Sequence, residues 1–213
     1  MKPLPFMKSF FVPRKHLSIS EWCEQNLVLS PRITNILSYR LSEQPCPALW
    51  VMPSEALARS FSETRWLPMV DDCPTLAKEK PENTDKIKIL EQHFRKMSLW
   101  FVGSNSPANL SSRSVSLLML DEVDKFSDGT NSKEAGALQL AEARVATYPN
   151  HLVVSTSTPT TADSIIWSEW QKGDMRFYFV PCPHCGHKQK LIWERVKWDE
   201  KAKLEDGVYD FTM

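Results

Sequence analysis

Short apolar runs along the chain alternate with longer segments whose apolar residues recur at helical spacing. Four runs have the length and composition of buried strands, at residues 48–52, 99–102, 117–120 and 152–154. Helices are predicted at 33–43, after Pro53-Ser54 with Leu57, Phe61 and Leu67 on one face, at 87–97, at 133–145 and after Asp163, and polar loops at 71–83 and 104–113. Strands that alternate with helices are typical of βαβ units, so the pattern predicts an α/β fold with a parallel sheet.

The two ends of the chain depart from this alternation. The start is basic and interrupted by prolines, and we expect it to form an arm, followed by a short helix that begins at a capping box of Ser18 and Glu21 and ends at Ser30-Pro31. After Gly173 the sequence changes to aromatic strands around a C-x-x-C motif. We therefore predict an arm and short helix at 1–32, an α/β domain at 33–172 and a small separate segment at 173–213.

Composition excludes several classes of protein. Twenty-six basic and 26 acidic residues give a net charge of zero, so binding to nucleic acid would need a local patch. No apolar stretch reaches the roughly 18–20 residues that span a bilayer, and the start lacks a signal-peptide cleavage site, so we expect no membrane partner. An odd count of 5 cysteines without an export signal argues against a disulfide framework and favours an intracellular protein.

The glycines restrict the nucleotide chemistry. The chain has 6 glycines, and none of them is followed by lysine. The phosphate-binding loop G-x-x-x-x-G-K-[ST] is therefore absent, and so is the dinucleotide fingerprint G-x-G-x-x-G. The sequence excludes a conventional Walker A site.

Two strands end in residues that suit phosphate chemistry. Asp121 and Glu122 follow the apolar run 117–120, where a parallel strand delivers its next residues into the crevice at the carboxyl edge of the sheet. There Asp121 would hold Mg²⁺, and Glu122 would orient or deprotonate an attacking water. The run Ser155-Thr156-Ser157 leaves another strand and would face the same crevice if the two strands are neighbours. The alternative is a solvated acidic turn and a hydroxyl-rich turn without a catalytic role.

A C-x-x-C motif in PCPHCGH is the sharpest local signal for a metal. Cys182 and Cys185, with glycine after the second cysteine, have the spacing of a knuckle that places two thiolates on one Zn²⁺. A closed structural site needs four ligands, and His184 and His187 are the nearby candidates. The alternative is an incidental pair of reduced thiols.

Taken in order, these pieces resemble the large subunit of tailed-phage DNA-packaging terminases of the lambda type. The resembling segments are SEWCEQNLVLSP, ALWVMPSEALARSFSETRWLPMV, FVGSNSPANLSSRSVSLLMLDEVDKF, STSTPTTADSIIWSEW and MRFYFVPCPHCGHKQKLIWERVKW. The resemblance implies a P-loop-NTPase-like, helicase-like parallel sheet with flanking helices, followed by the first half of a zinc-ribbon-like unit. By the same resemblance, Asp121 and Glu122 look like a Walker B pair, Ser155, Thr156 and Ser157 look like the motif that couples hydrolysis to DNA movement, and Cys182 and Cys185 look like zinc ligands.

The resemblance also implies cofactors and partners. ATP, Mg²⁺ and Zn²⁺ are the expected cofactors, and the expected partners are double-stranded DNA, the small terminase subunit and the portal of the procapsid, in the cytoplasm of the bacterial host. The expected activity is ATP-driven packaging of viral DNA, joined in the family to an endonuclease domain, which would lie beyond Met213 together with a second C-x-x-C.

The sequence departs from the family at one internal point. Between Ser30-Pro31 and Asn35-Ile36 the family would have a strand, the phosphate loop and the start of its helix. The loop's lysine and its Ser/Thr ligand of Mg²⁺ are missing, so we expect an incomplete sheet and a truncated or degenerate ATPase region. Two alternatives stay open: a non-catalytic module that binds DNA or a partner and carries a zinc knuckle, and a helicase-like ATPase outside packaging.

Overall fold

The computed structural model of the chain describes residues 16–20, 29–126, 136–158, 161, 163–175, 179–182, 184–190, 197–203 and 209–212. The chain divides into two compact units, Met1–Gly173 and Asp174–Met213. In the first unit the strands are β1 (His16–Ser20), β2 (Ala48–Met52), β3 (Glu91–His93), β4 (Ser98–Gly103), β5 (Leu117–Asp121) and β6 (Leu152–Ser157). Its α-helices are α1 (Leu29–Glu43), α2 (Glu55–Phe61), α3 (Leu67–Asp72), α4 (Pro74–Ala77), α5 (Pro107–Ser111), α6 (Ala137–Glu142) and α7 (Ile165–Lys172).

The first unit is built on one six-stranded sheet with the strand order β1-β6-β5-β2-β4-β3. The first five strands of this order are parallel to one another, and β3 pairs antiparallel with β4 at the edge. Parallel neighbours require crossover connections, and helices supply them here. The predicted α/β fold with a mainly parallel sheet is confirmed.

Side chains of the central strands point alternately into two apolar layers, as a strand period of two requires. One layer contains Ile33, Leu37 and Leu41 of α1, together with Trp50, whose ring lies 4.7 Å from that of Phe61 in α2. The opposite layer is lined by buried residues of three helices and the central strands, among them Leu110, Ala141, Ile166, Leu118 and Leu120. Both faces of the sheet are thus covered, which explains why the central strands read as continuous apolar runs.

The beginning of the chain differs from the prediction. His16–Ser20 is a strand paired in parallel with β6, and not an arm that leads into a helix capped by Ser18. Alternation of polar and apolar residues in His-Leu-Ser-Ile-Ser suits a strand, and tertiary pairing overrides the local capping signal. Ser30 and Pro31 lie in the first turn of α1 and do not end an element. Proline is tolerated there because the amides of a helix's first turn have no acceptor within the helix. A strand therefore does precede α1; the rest of the predicted short helix, 21–28, lies outside the described residues.

The helix predicted at 87–97 is wrong. Glu91–His93 is a strand, and the amide of Phe94 donates to the carbonyl of Met97 at 2.8 Å to close the turn into β4. Gln92 is fully buried in this strand, where it donates to the Ser62 hydroxyl at 2.9 Å and accepts from the Trp66 indole at 2.7 Å. Those partners are distant in sequence, so helical spacing of apolar residues could not reveal them.

Smaller differences concern the helices. The predicted loop at 71–83 contains α4, and the one at 104–113 contains α5 with Pro107 at its first position. The helix expected after Ser54 is present, but it continues as a π-helical segment, Ser62–Trp66, whose wider turn shifts the buried face. Leu57, which lies in α2 before this segment, is 49% exposed. Within 133–145 the helix is confirmed from Ala137, followed by the 3₁₀ turn Ala143–Val145, and residues 133–135 lie outside the described part.

The second unit contains two antiparallel hairpins. Strands β7 (Phe179–Pro181) and β8 (Lys188–Lys190) form one, and β9 (Lys197–Lys203) and β10 (Tyr209–Thr212) form the other. The strands predicted around the C-x-x-C motif are therefore present, and the motif lies in the connection between β7 and β8.

Candidate functional site

The carboxyl ends of β5 and β6 bring the acidic pair and the hydroxyl run together. The two strands are parallel neighbours, and Asp121 is directly opposite Thr156 in their register. The Thr156 hydroxyl donates to Oδ1 of Asp121 at 2.9 Å, and both side chains are buried. The sheet thus meets the condition that the sequence left open, that these strands be adjacent.

Burial dominates the electrostatics of Asp121. Because its side chain is taken out of water, the pKa of Asp121 is raised from the usual 3.8 to about 6. The hydrogen bond from Thr156 lowers this pKa in part, and the neighbouring charge of Glu122 raises it. Asp121 is therefore a carboxyl group that the fold keeps near the border between its protonated and ionised forms.

Glu122 has an unusual backbone conformation. Its φ of 56° and ψ of 50° lie in the left-handed region, which a residue with a Cβ adopts at a cost of about 1–2 kcal/mol. The 3₁₀ turn Val123–Lys125 follows at once, and Nζ of Lys125 lies 2.9 Å from Oε2 of Glu122. The turn therefore follows directly on the end of β5 and pairs the Glu122 carboxylate with a cation.

Asp124, which the sequence reasoning missed, connects this turn to two other elements. Its amide donates to the Ser157 hydroxyl at 3.2 Å, and its Oδ1 accepts from the amide of Ile166, in the first turn of α7, at 3.0 Å. The second aspartate of D-E-V-D was the available signal, but its partners lie 33 and 42 positions away. Ser155 is also fully buried, and its hydroxyl has no hydrogen-bond partner within the described part of the chain.

The donor set at this edge suits a hard cation. Asp121, Glu122 and Thr156 offer only oxygen atoms, which are the ligands that Mg²⁺ prefers. The chain offers a triphosphate fewer binding groups, because its sequence has no glycine-rich loop with the phosphate-binding lysine. The chemistry of these side chains thus suits a metal ion better than a nucleotide, although among the described residues no three His, Cys, Asp or Glu side chains are grouped to hold one.

The C-x-x-C motif forms a tight turn at the end of the β7–β8 hairpin. The amide of Cys182 donates to the carbonyl of His187 at 2.8 Å, and the amide of Gly186 donates to the carbonyl of Cys182 at 2.9 Å. Gly186 has a φ of 72°, which glycine adopts without strain. Backbone amides of Cys185 and His184 point at the Cys182 sulfur and lower the pKa of that thiol.

The knuckle supplies fewer ligands than a closed zinc site. Cys182 and Cys185 share one turn, whereas the side chains of His184 and His187 are exposed. Among the residues that the structure describes, no three His, Cys, Asp or Glu side chains are grouped to hold one metal ion. The described residues therefore provide two thiol ligands out of the four that structural zinc takes.

Residues 12–210 match the family model of the phage terminase large subunit gpA, ATPase domain. The chain belongs to this family. The match covers far more than half of its length, and the family acts in phage DNA packaging. The resemblance seen in the sequence is confirmed.

Individual terminases agree with this assignment. The terminase large subunit of Enterobacteria phage P21 is 24% identical over 202 residues, which cover 86% of this chain and 31% of that protein. The terminase large subunit of Escherichia phage lambda is 23% identical over 180 residues, which cover 79% of this chain and 28% of that protein. The chain thus spans less than a third of the length of these relatives.

Solved structures show the same fold. The large terminase ATPase domain of Thermus phage P74-26 superposes with a TM-score of 0.50 at 12% identity, covering 78% of this chain and 69% of that one. A point mutant of that domain gives the same TM-score at 13% identity. These matches support the P-loop-NTPase-like fold. Among the described helices of this terminase-family chain, none is long and apolar enough to cross a membrane.

Proposed function

We propose that this terminase-family chain carries the metal-binding and coupling half of a packaging ATPase site. In this proposal Asp121 holds Mg²⁺, Glu122 orients or deprotonates the attacking water, and Ser155, Thr156 and Ser157 pass the state of the site to the rest of the sheet. When bound, Mg²⁺ would neutralise charge on phosphate oxygens.

The contact between Thr156 and Asp121 carries this proposal. The Thr156 hydroxyl on β6 donates to the Asp121 carboxylate at the end of β5 at 2.9 Å, and both side chains are buried. A solvated acidic turn would not need such a contact, and its carboxylate would not be 5% exposed. Hydrogen-bonded support of this kind is what orients a metal-binding carboxylate.

ATP hydrolysis needs more than a bound metal, because the transferred phosphoryl group must itself be bound. The phosphate-loop amides and lysine stabilise the charge that develops on that group, and this chain lacks the motif that supplies them. We therefore propose that the chain alone hydrolyses ATP no faster than background and binds Mg²⁺ weakly. In this respect it is a degenerate copy of the family's ATPase site.

Steady-state phosphate release with saturating ATP, Mg²⁺ and duplex DNA tests the proposed lack of turnover. The variants to compare are Glu122→Gln and, as a matched control, Glu55→Gln, which neutralises an exposed acid in the first turn of α2. Background release from all three chains is expected. Turnover that Glu122→Gln abolishes and Glu55→Gln leaves intact would show an active ATPase and overturn the proposal.

Metal binding is measured independently with Mn²⁺ in place of Mg²⁺, by electron paramagnetic resonance. We expect weak binding to the unmodified chain, and at least a tenfold weaker affinity after Asp121→Asn. The exposed Asp85 provides the matched control through Asp85→Asn. Equal affinity for all three chains would remove Asp121 from the metal site.

The partners follow from the family and stay proposals for this chain. We propose that it acts in the cytoplasm of the bacterial host and engages double-stranded DNA, the small terminase subunit and the portal of the procapsid. Sedimentation of the purified chain with each partner in turn tests this. Binding to none of the three would refute the proposed partners.

A second candidate function is that of a non-catalytic binding module with a zinc knuckle. The amides directed at Cys182 favour it, because they stabilise the thiolate form that binds Zn²⁺. With two thiols and no further ligand grouped with them among the described residues, we expect weak, exchangeable Zn²⁺ binding, or a site completed by a second copy of the chain.

Metal analysis combined with sedimentation, with and without chelator, separates these forms of zinc binding. Cys182→Ser should abolish the binding, and Cys73→Ser, at a half-buried thiol in the first unit, is the control. One zinc per monomer that resists chelator would contradict both the weak site and the shared site.

A further inference from the structure

Asp124 bonds two separate elements through two different groups. Its amide donates to the Ser157 hydroxyl on β6, and its carboxylate accepts from the Ile166 amide at the start of α7. The Ser164 hydroxyl accepts from Trp167 in the same helical turn, so Asp124 supplies a second side-chain acceptor there. One residue thus connects the turn after β5 to β6 and to α7.

The Asp124 side chain is partly buried. Its Oδ2 atom is buried and has no hydrogen-bond partner among the described residues. A buried acceptor left unpaired costs stability, and an asparagine could accept from the Ile166 amide without burying a charge. The favourable partner for the charge is the amino end of α7, whose free amides carry partial positive charge.

The acidic turn, Asp121 to Lys125, is held at both ends, and Asp124 holds the end farther from β5. On the near side Asp121 is held by the sheet and by Thr156. On the far side Val123 packs in the same apolar layer as Ile166, next to the two bonds of Asp124. Glu122 lies between these anchors, so its left-handed backbone cannot relax unless one of them gives way.

We propose that Asp124 is a positioning residue that couples the Asp121–Glu122 turn to helix α7. A displacement at Asp121 reaches α7 through the 3₁₀ turn and the Asp124 carboxylate, and α7 in turn holds the strained Glu122 in place. The coupling deepens the proposed function, and it rests on that function only for what Asp121 and Glu122 bind.

Residue-resolved amide hydrogen exchange on the full chain tests the coupling without nucleotide. Thr156→Val removes the hydroxyl that holds Asp121 and makes no direct change at the Asp124–Ile166 bond. We expect about fivefold faster exchange of the Ile166 and Trp167 amides in this variant, on the scale of a lost helix cap. In the Asp124→Ala background the same Thr156→Val change should have no further effect on those amides.

The controls separate coupling from simple capping. Asp124→Asn keeps an oxygen for the Ile166 amide and should restore the response, whereas Asp163→Ala removes an exposed acid just before α7 and should leave it unchanged. If Asp124→Ala does not fold, Ser157→Ala cuts the other bond of Asp124 and should also remove the response. No change at α7 in Thr156→Val, or an equal change with and without the Asp124 bonds, overturns the coupling.

A Mn²⁺ titration of the same variants distinguishes this inference from the proposed function. Severalfold weaker Mn²⁺ binding in Asp124→Ala, with unchanged binding in Asp163→Ala, supports a positioning role at the metal site. If the unmodified chain binds no Mn²⁺, the assignment of Asp121 as a ligand fails, and the exchange measurement still decides the coupling.

Discussion

Each candidate site has a residue with a left-handed backbone conformation, but the type of residue differs. The knuckle between β7 and β8 uses Gly186, with φ at 72°, and the acidic turn after β5 uses Glu122, with φ at 56°. Glycine adopts this conformation without strain, whereas glutamate does so at a cost. The knuckle is thus shaped by its own sequence, while the acidic turn is held in a strained shape by its surroundings.

Burial separates the two regions in the same way. Asp121 and Thr156 lie in the packed interior, where desolvation raises the pKa of Asp121 to about 6. Cys182 and Cys185 lie in a short hairpin, and local amides lower the pKa of the Cys182 thiol. One site is tuned by tertiary packing and the other by adjacent backbone, so the two should respond differently to substitution.

The largest expected effect is on the packing beneath the acidic turn. Trp50 is fully buried between Phe61 and Phe101, with ring centroids at 4.7 and 5.7 Å. Trp50→Ala should lower the free energy of unfolding by about 3–5 kcal/mol, because it leaves a cavity in the core. Urea denaturation measures this, with Leu57→Ala, at a side chain that is 49% exposed, as a control expected to cost less than about 0.5 kcal/mol. Similar losses in both variants would show that burial of Trp50 contributes no more to stability than the exposed Leu57 does.

The next effect concerns the pH dependence of stability. The folded pKa of Asp121, about 6, lies above its usual 3.8, so the folded chain binds more protons than the unfolded chain between these values. Stability should therefore fall as pH rises from about 4 to about 6, by up to about 3 kcal/mol from this group. Asp121→Asn should remove that slope and be most stabilising above pH 7.

Denaturation series from pH 4 to pH 8 check this slope. Asp85→Asn, at an exposed carboxylate in the 3₁₀ turn Thr84–Lys86, is the control and should keep the slope of the unmodified chain. A slope that survives Asp121→Asn would mean that another group is its source.

A smaller effect is expected at the knuckle. An added Cβ at Gly186 would meet no atom within 4 Å, so Gly186→Ala tests the backbone conformation alone. Alanine in the left-handed conformation should lower stability by about 1–2 kcal/mol and speed the exchange of the Cys182 amide in the hairpin. Unchanged exchange at that amide would contradict a knuckle whose shape depends on glycine.

The smallest effect is at Glu122. Glu122→Gly and Glu122→Ala both lose the ion pair with Lys125, so their difference isolates the backbone. The glycine variant should be the more stable by about 1 kcal/mol, which reverses the usual order of alanine and glycine within regular structure. Chemical denaturation of the two variants gives the difference. An alanine variant as stable as the glycine variant would show that the left-handed backbone of Glu122 is not strained.

The sequence by itself determined the central strands, the acidic pair and the cysteine turn. Uninterrupted apolar runs such as 117–120 can only be strands or buried helix, and the carboxylates that follow mark the carboxyl end of a strand. Spacing and glycine define the knuckle in a few consecutive residues. These features are local, so sequence patterns could predict them.

Tertiary structure alone decided what lies beside those features. His16–Ser20 became a strand because β6 offers it a parallel partner, and Gln92 entered a strand because Ser62 and Trp66 bind its amide in the interior. Asp124 depends on residues 33 and 42 positions away. Such contacts join distant parts of the chain, and a period or a motif contains no information about them. The support of the acidic turn could therefore be read only from the folded chain.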